Sequence, residues 1–281
     1  MPVPAPPVLV ARLRSAGCVF AEEEAALLVE AASTPEELEA LTARRIAGEP
    51  LEHVVGWALF AGRRIRVSPG VFVPRSRSEL LAREAIRLTR PGAVVVDLCC
   101  GAGALAAAIA DAVVGLELHA ADLDPAAVRD ARRTLDGVAQ VHEGDLFAAL
   151  PQHLRGRVDV LVANTPYVPT DELHLMPREA REHEAPLALD GGGDGLDVQR
   201  RIAADAAGWL TPGGHLLVEV SSRQAPTAAA IMASGGSTRA SCTTTTSTRR
   251  SSSARGGSPA KILSRARTDP LAGAHRSSRE G

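Results

Sequence analysis

The sequence predicts an α/β fold, a doubly wound and mainly parallel sheet preceded by a small helical lobe and a linking β-hairpin. Three observations carry this. First, Val94–Leu98 (VVVDL) is a continuous apolar run typical of a parallel strand buried on both faces, and Cys100-Gly101-Ala102-Gly103 turns directly from it into ALAAAIA. Second, similar runs recur at residues 116–121, 138–142, 158–163 and 215–220. Third, most of these runs are separated by helical stretches of about ten residues, the pattern of βαβ units.

In chain order, residues 8–47 are rich in Ala, Leu, Glu and Arg, and apolar positions such as Leu27, Leu28, Leu38 and Leu41 suggest short amphipathic helices. Thr34-Pro35-Glu36-Glu37 reads as a cap, a first-turn proline and acids facing the positive end of a helix. A helical lobe over 1–50 follows. Residues 54–74 hold two extended runs around Ala61-Gly62, which suggests a hairpin within a linker of 51–75. The main domain is expected over 76–232, with helices at 76–88, 125–135, 196–210 and about 225–232.

Residues 233–281 break this character. They hold 18 Ser or Thr and only Ile262, Leu263 and Leu271 as sizeable aliphatics. Such a composition buries too little apolar surface to offset the entropy of ordering. A disordered basic tail is one reading; the abrupt break near Met232 favours a shifted reading frame.

Overall composition is that of a globular protein, with 45% apolar and 23% charged residues. The tail carries 9 basic and 2 acidic residues, leaving 22 basic and 31 acidic in residues 1–232, so the body is acidic. That counts against nucleic acid as a direct partner, as do only seven aromatic residues. Cys18, Cys99, Cys100 and Cys242 form no disulfide or zinc spacing. The eight histidines show no ligand motif either, so no metal is expected. With no membrane-length apolar run and no signal-peptide pattern in MPVPAPP, a cytoplasmic location is expected.

Two motifs carry chemistry. Cys99 to Gly103 joins a strand to a helix, and Asp122 follows about twenty residues later in HAADLDP. A small-residue turn lets a ligand approach the backbone, and an acid ending the next strand can accept from two ribose hydroxyls. The third glycine of the dinucleotide pattern is replaced by Ala106, so S-adenosylmethionine suits this loop better than NAD. His142 to Leu146 ends the third strand and would place Asp145 near an adenine amine; taken alone, Asp145 reads equally as a loop acid. The second motif is Asn164-Thr165-Pro166-Tyr167, after the fourth strand and so beside the same crevice. An amide or aromatic amine is a poor nucleophile because its lone pair is delocalised. The Asn164 carbonyl and the Thr165 backbone carbonyl could hold both N–H bonds and aim that lone pair. Pro166 would stiffen the turn and Tyr167 offer a flat face.

Together, DLCCGAG and NTPYVP, with GEPLEHVVGWALFAGRRIRVSPGVFVPRSRSELL before them and EAPLALDGGGDGLDVQRRIAADAAGWLTPGGHLLVEVSSRQ after, resemble the HemK/PrmC protein-glutamine methyltransferases, and more narrowly their PrmC-related actinobacterial branch. The likeness covers residues 48 to about 230. It implies a Rossmann-like S-adenosylmethionine-dependent enzyme, translation-linked and monomeric, methylating a glutamine amide of a release factor or ribosomal protein. It also implies that Cys99, Cys100, Gly101, Ala102 and Gly103 cradle the methionine part. Asp122 would take the ribose, Asp145 and Leu146 the adenine, and Asn164 through Tyr167 the glutamine amide, with Asn164 also bordering the cofactor. Pro74, Arg75 and Glu79 match the family segment before the core.

Thr165 stands where the family has proline, Cys99 where it has glycine, and Ser76-Arg77-Ser78 where it has Pro-Glu-Thr. The family's closing antiparallel strand pair finds no counterpart in the tail, so the fifth strand is expected to be a bare edge and the chain less stable than its relatives. The alternatives are a nucleic-acid exocyclic-amine methyltransferase, since that chemistry uses a similar loop, or an inactive copy with an altered C-terminus.

Overall fold

The computed structural model describes residues 6–234 and 240–245, with side chains through 234. Helices α1 (Pro7–Ser15), α2 (Ala21–Ala31) and α3 (Pro35–Ile46) bury Leu9, Leu13, Ala21, Ala25 and Leu28 in a core of their own. The cap on α3 is reciprocal: Glu37 N donates to Thr34 Oγ1 at 3.1 Å and Ser33 N to Glu37 Oε2 at 2.7 Å. A short helix, α4 (Leu51–Val55), occupies the start of the stretch expected to be hairpin linker, and Gly56 ends it at φ 83°. The hairpin itself is β1 (Trp57–Phe60) and β2 (Arg63–Arg66), joined by Ala61-Gly62, both left-handed as a two-residue hairpin turn requires.

The main domain runs α5 (Glu79–Leu88), β3 (Val94–Leu98), α6 (Ala104–Ala112), β4 (Glu117–Asp122), α7 (Pro125–Thr134), β5 (Gln140–Glu143), β6 (Val158–Ala163), α8 (Arg178–His183), α9 (Asp197–Ala206), β7 (Leu210–Ser221), α10 (Ala225–Ser234) and β8 (Ala240–Thr245). The sheet is parallel throughout, in the order β5-β4-β3-β6-β7-β8. Alternate residues of each strand face opposite cores. Val95, Val160 and Leu217 pack with the helical residues Leu81, Ile109 and Ala131, while Val96, Leu161 and Val218 pack with Ile202, Ala206 and Ala228. Helices therefore cover both faces, and the order reverses between β3 and β6, where open α/β sheets bind ligands.

Two expectations need correction. The fifth main-sheet strand is longer than predicted: Val158 pairs with Leu210 and Val160 with His215, so Thr211-Pro212-Gly213-Gly214 bulge out between two paired stretches. That strand is not a bare edge, because β8 pairs parallel with it from Leu216↔Ala240 to Ser221↔Thr245. The segment ends in the β-branched Thr243-Thr244-Thr245, which suits a strand, and α10 supplies the crossover. Glu184, just past α8, is buried and paired with Arg75. Of the predicted disordered or frame-shifted tail over 233–281, residues 235–239 and 246–281 lie outside the described residues. Among those described, no helix is long and apolar enough to cross a membrane.

Candidate active site

A cavity of about 760 Å³ opens at the carboxyl ends of β3, β4, β6 and β7. Cys99, Gly101, Asp122, Asp145 and Leu146 line it together with Asn164, Thr165, Pro166 and Tyr167, so both sequence motifs meet in one space. Cys100 and Ala102 are turned into the core behind the loop, and Gly103 opens α6.

The loop is wound tightly. Cys99 and Gly101 both sit at φ 55° and Gly103 at φ 81°. A Cβ on Gly101 would meet nothing within 4 Å, so that backbone faces open space, whereas one on Gly103 would meet Leu135 Cδ1 at 3.0 Å. Cys99 holds a left-handed conformation that costs an L-residue roughly 1–2 kcal/mol. Cys99→Gly is therefore expected to raise stability by about 1 kcal/mol; an unchanged or lower urea midpoint would contradict the strain. Burial and the nearby Asp122 and Asp97 push both loop thiols up, so neither serves as a nucleophile near neutral pH.

Asp122 closes the loop onto β4. Its Oδ2 accepts from Gly101 N at 2.8 Å and its Oδ1 from Asp124 N at 2.9 Å. Burial raises its pKa. An ionised carboxylate has about four acceptor positions, so two remain for a diol. Asp145 is held by Arg201 at 2.6 Å on the other side of the cavity.

Asp97, inside VVVDL, was not singled out by sequence, although a polar residue in an otherwise apolar strand was its signal. It is fully buried; Oδ2 accepts from Ala106 N at 3.1 Å, and Oδ1 has no partner among the described residues. Desolvation lifts its pKa to about 8. The folded state thus keeps a proton that the unfolded chain loses near 3.9. This contribution to stability is complete below that value and is lost as pH rises through about 8. Asp97→Asn should flatten the decline, and urea unfolding of both proteins at several pH values checks it.

The Asn164 loop is anchored by side chains that local sequence reasoning passed over. Asn164 Nδ2 donates to Ser78 Oγ, buried at the start of α5, at 3.2 Å. Nothing among the described residues donates to its Oδ1, which is left as an acceptor beside the cavity. Arg77 Nη2 donates to Tyr167 Oη at 2.7 Å, and Tyr167 Oη to the buried Glu219 at 3.4 Å. Gln224 Nε2 donates to both Tyr167 O and Asp194 O at 2.9 Å, while Gln224 Oε1 accepts from Ser221 Oγ at 2.6 Å. The glycine segment 191–195 packs against the same loop, with Gly191 N donating to Val168 O at 2.8 Å. Thr165 is buried with no partner for its hydroxyl among the described residues, a cost that proline would not incur.

Comparison with known proteins agrees with this geometry. The family model described as "Methyltransferase small domain" matches residues 63–246. The release factor glutamine methyltransferase of Streptomyces coelicolor is 41% identical over 189 residues, covering 66% of this chain and 67% of its own. That of Geobacter sulfurreducens is 38% identical over 199 residues, covering 69% of each. A 4-amino-L-phenylalanine/4-methylamino-L-phenylalanine methyltransferase from Streptomyces pristinaespiralis is 42% identical over 189 residues and 64% of each chain. These alignments thus span about two thirds of either partner. Since the matched segment runs from β2 to the end of the sheet and takes in both motifs, the chain belongs to the methyltransferase small domain family and, within it, to the HemK/PrmC methyltransferases.

Proposed function

We propose that this chain transfers a methyl group from S-adenosylmethionine to the side-chain amide nitrogen of a glutamine in a bacterial release factor. The observation that carries it is the fixed Asn164 amide: with Nδ2 engaged by Ser78, Oδ1 is left to accept from a substrate N–H beside the cofactor loop. The names of the relatives at 38–41% identity support the same target. The open backbone at Gly101 and the two remaining acceptor positions of Asp122 fit the cofactor's amino-acid and ribose parts. When bound, S-adenosylmethionine would supply an electrophilic methyl on a sulfonium, the sulfur leaving as a neutral thioether as its bond to the methyl breaks, and the methylated amide nitrogen would release one of its two protons to solvent.

The chain's own work is orientation. Asn164 Oδ1 and the Thr165 carbonyl accept the two amide hydrogens, which draws electron density onto nitrogen and fixes the direction of its lone pair. Tyr167, tied through Arg77 and Glu219, gives the planar amide a surface, and the Gln224 clamp stops the loop from swinging. Asp145 and Leu146, which line the cavity, would hold the purine. The helical lobe of 1–50 and the linker of 51–75 are read as the part that grips the protein substrate. In this reading Asp122→Ala raises the dissociation constant for S-adenosylmethionine by roughly thirtyfold, the equivalent of about 2 kcal/mol for a hydrogen bond to a charged group. Calorimetric titration checks it.

The test of function is transfer of labelled methyl from S-adenosylmethionine into a host lysate that is then divided for nuclease and protease treatment, followed by purified release factor. Label lost with protease and mapped to a glutamine supports the proposal. Label removed by nuclease overturns it, and label in the small-molecule fraction would point instead to an aromatic amine, as the name of the Streptomyces pristinaespiralis relative suggests.

A further inference from the structure

Away from the cavity, the sheet assembles a second cluster of chemistry-bearing side chains. Glu117 and His119 lie two residues apart on β4 and so point to the same face. His153 reaches them from the short turn Gln152–Leu154 that precedes β6. Glu117 Oε1 is 3.6 Å from His119 Nε2 and 3.7 Å from His153 Nε2, and all three atoms lie within 4.8 Å of one another. Tetrahedral zinc, with bonds of about 2.0–2.1 Å, spaces its N and O ligands roughly 3.4 Å apart. The observed gaps therefore need only a small inward movement, and His153, being exposed, can supply it.

Two further observations point the same way. His119 is fully buried, yet its Nε2 has no hydrogen-bond partner among the described residues, although burying such an atom unpaired is unfavourable. The outward-facing atoms of the cluster are already engaged: His119 Nδ1 lies 3.0 Å from His142 Nε2, and Glu117 Oε2 accepts from Arg157 Nη2 at 2.9 Å. Ligating histidines and carboxylates are characteristically held this way by their far atoms.

We infer that Glu117, His119 and His153 form a three-ligand site for a divalent transition ion of the zinc class, with a fourth position open to water. One oxygen and two imidazoles suit zinc, cobalt or nickel, and are too few oxygens for calcium or magnesium. None of the three residues lines the catalytic cavity. Glu117 begins β4, whereas Asp122 ends it, so the ion would sit toward the opposite end of the strand. It would pin the β5–β6 connection, which carries Asp145 and Leu146 as well as His153, to the neighbouring strand. Its role is to hold that connection in place.

The experiment uses the full chain stripped with a chelator, titrated with zinc chloride against a chromophoric competitor and, separately, with cobalt chloride. Expected are one bound equivalent, a four-coordinate cobalt spectrum without thiolate charge transfer, and a thermal midpoint raised by roughly 5 °C at a hundredfold excess over Kd. His153→Ala, which removes an exposed ring, and Glu117→Gln should each weaken binding by about tenfold or more. His174→Ala, on an exposed turn elsewhere, should leave it unchanged. Absence of saturable binding, retention of full affinity in both ligand variants, or a cobalt spectrum marking cysteine ligation would overturn the inference.

Discussion

Asn164→Ala is expected to lower methyl transfer by about a thousandfold while changing the affinity for S-adenosylmethionine only a few-fold. Removing one pre-aligned hydrogen-bonding group from a site of this type costs about a hundred to a thousandfold in rate. The upper end is expected here because Asn164 is to polarise the amide and also orient it. Its position is set by Ser78 at 3.2 Å, an anchor just before α5 and independent of the cofactor loop, so cofactor binding should survive its loss. Single-turnover rates with purified release factor, together with calorimetry, separate the two effects. A variant with wild-type turnover would remove Asn164 from the mechanism, and one that has lost cofactor binding would reassign it to the cofactor.

The second large effect is expected at a residue that touches neither substrate nor cofactor in the proposed reading. A Cβ on Gly195 would lie 2.4 Å from both Gln224 Nε2 and Tyr167 O, and its φ of 77° disfavours any side chain. Gly195→Ala must therefore either break the Gln224 clamp or push the Tyr167 backbone aside. A destabilisation of about 2–3 kcal/mol is expected, seen as a lower urea midpoint. Transfer should fall by roughly a hundredfold, since a displacement of about 1 Å at a positioning loop has that consequence. Gly193→Ala is the control, because a Cβ there meets nothing within 4 Å. Equal behaviour of the two variants would show that the clamp does not position the loop.

Periodicity was enough to read the parallel sheet and its two covered faces, because a doubly buried strand such as VVVDL has few other interpretations. The two loops were legible for a related reason: glycine at left-handed positions and the Asn-Thr-Pro-Tyr run are local signals. What escaped was everything made by distant partners. Ser78, Arg77, Glu219 and Gln224 reach Asn164 and Tyr167 across separations of 52 to 90 residues, and no spacing rule encodes that. Glu117, His119 and His153 were passed over for the same reason, being drawn from a strand and a turn. The parallel pairing of β8 was missed because low-complexity composition reports little about strand propensity, and a short run of threonines is enough to add to an existing edge.

The bond from Asn164 to Ser78 also makes the loop a counter of hydrogens. With its amide nitrogen drawn toward Ser78, Asn164 turns the lone pairs of its Oδ1 to an incoming group. A primary amide brings two N–H bonds and is welcome. A carboxylate of nearly the same shape brings none, and would set oxygen against oxygen. Deamidation of the target glutamine would thus turn a substrate into a repelled look-alike, so the same contact that orients the nitrogen also inspects the chemical age of the protein that carries it.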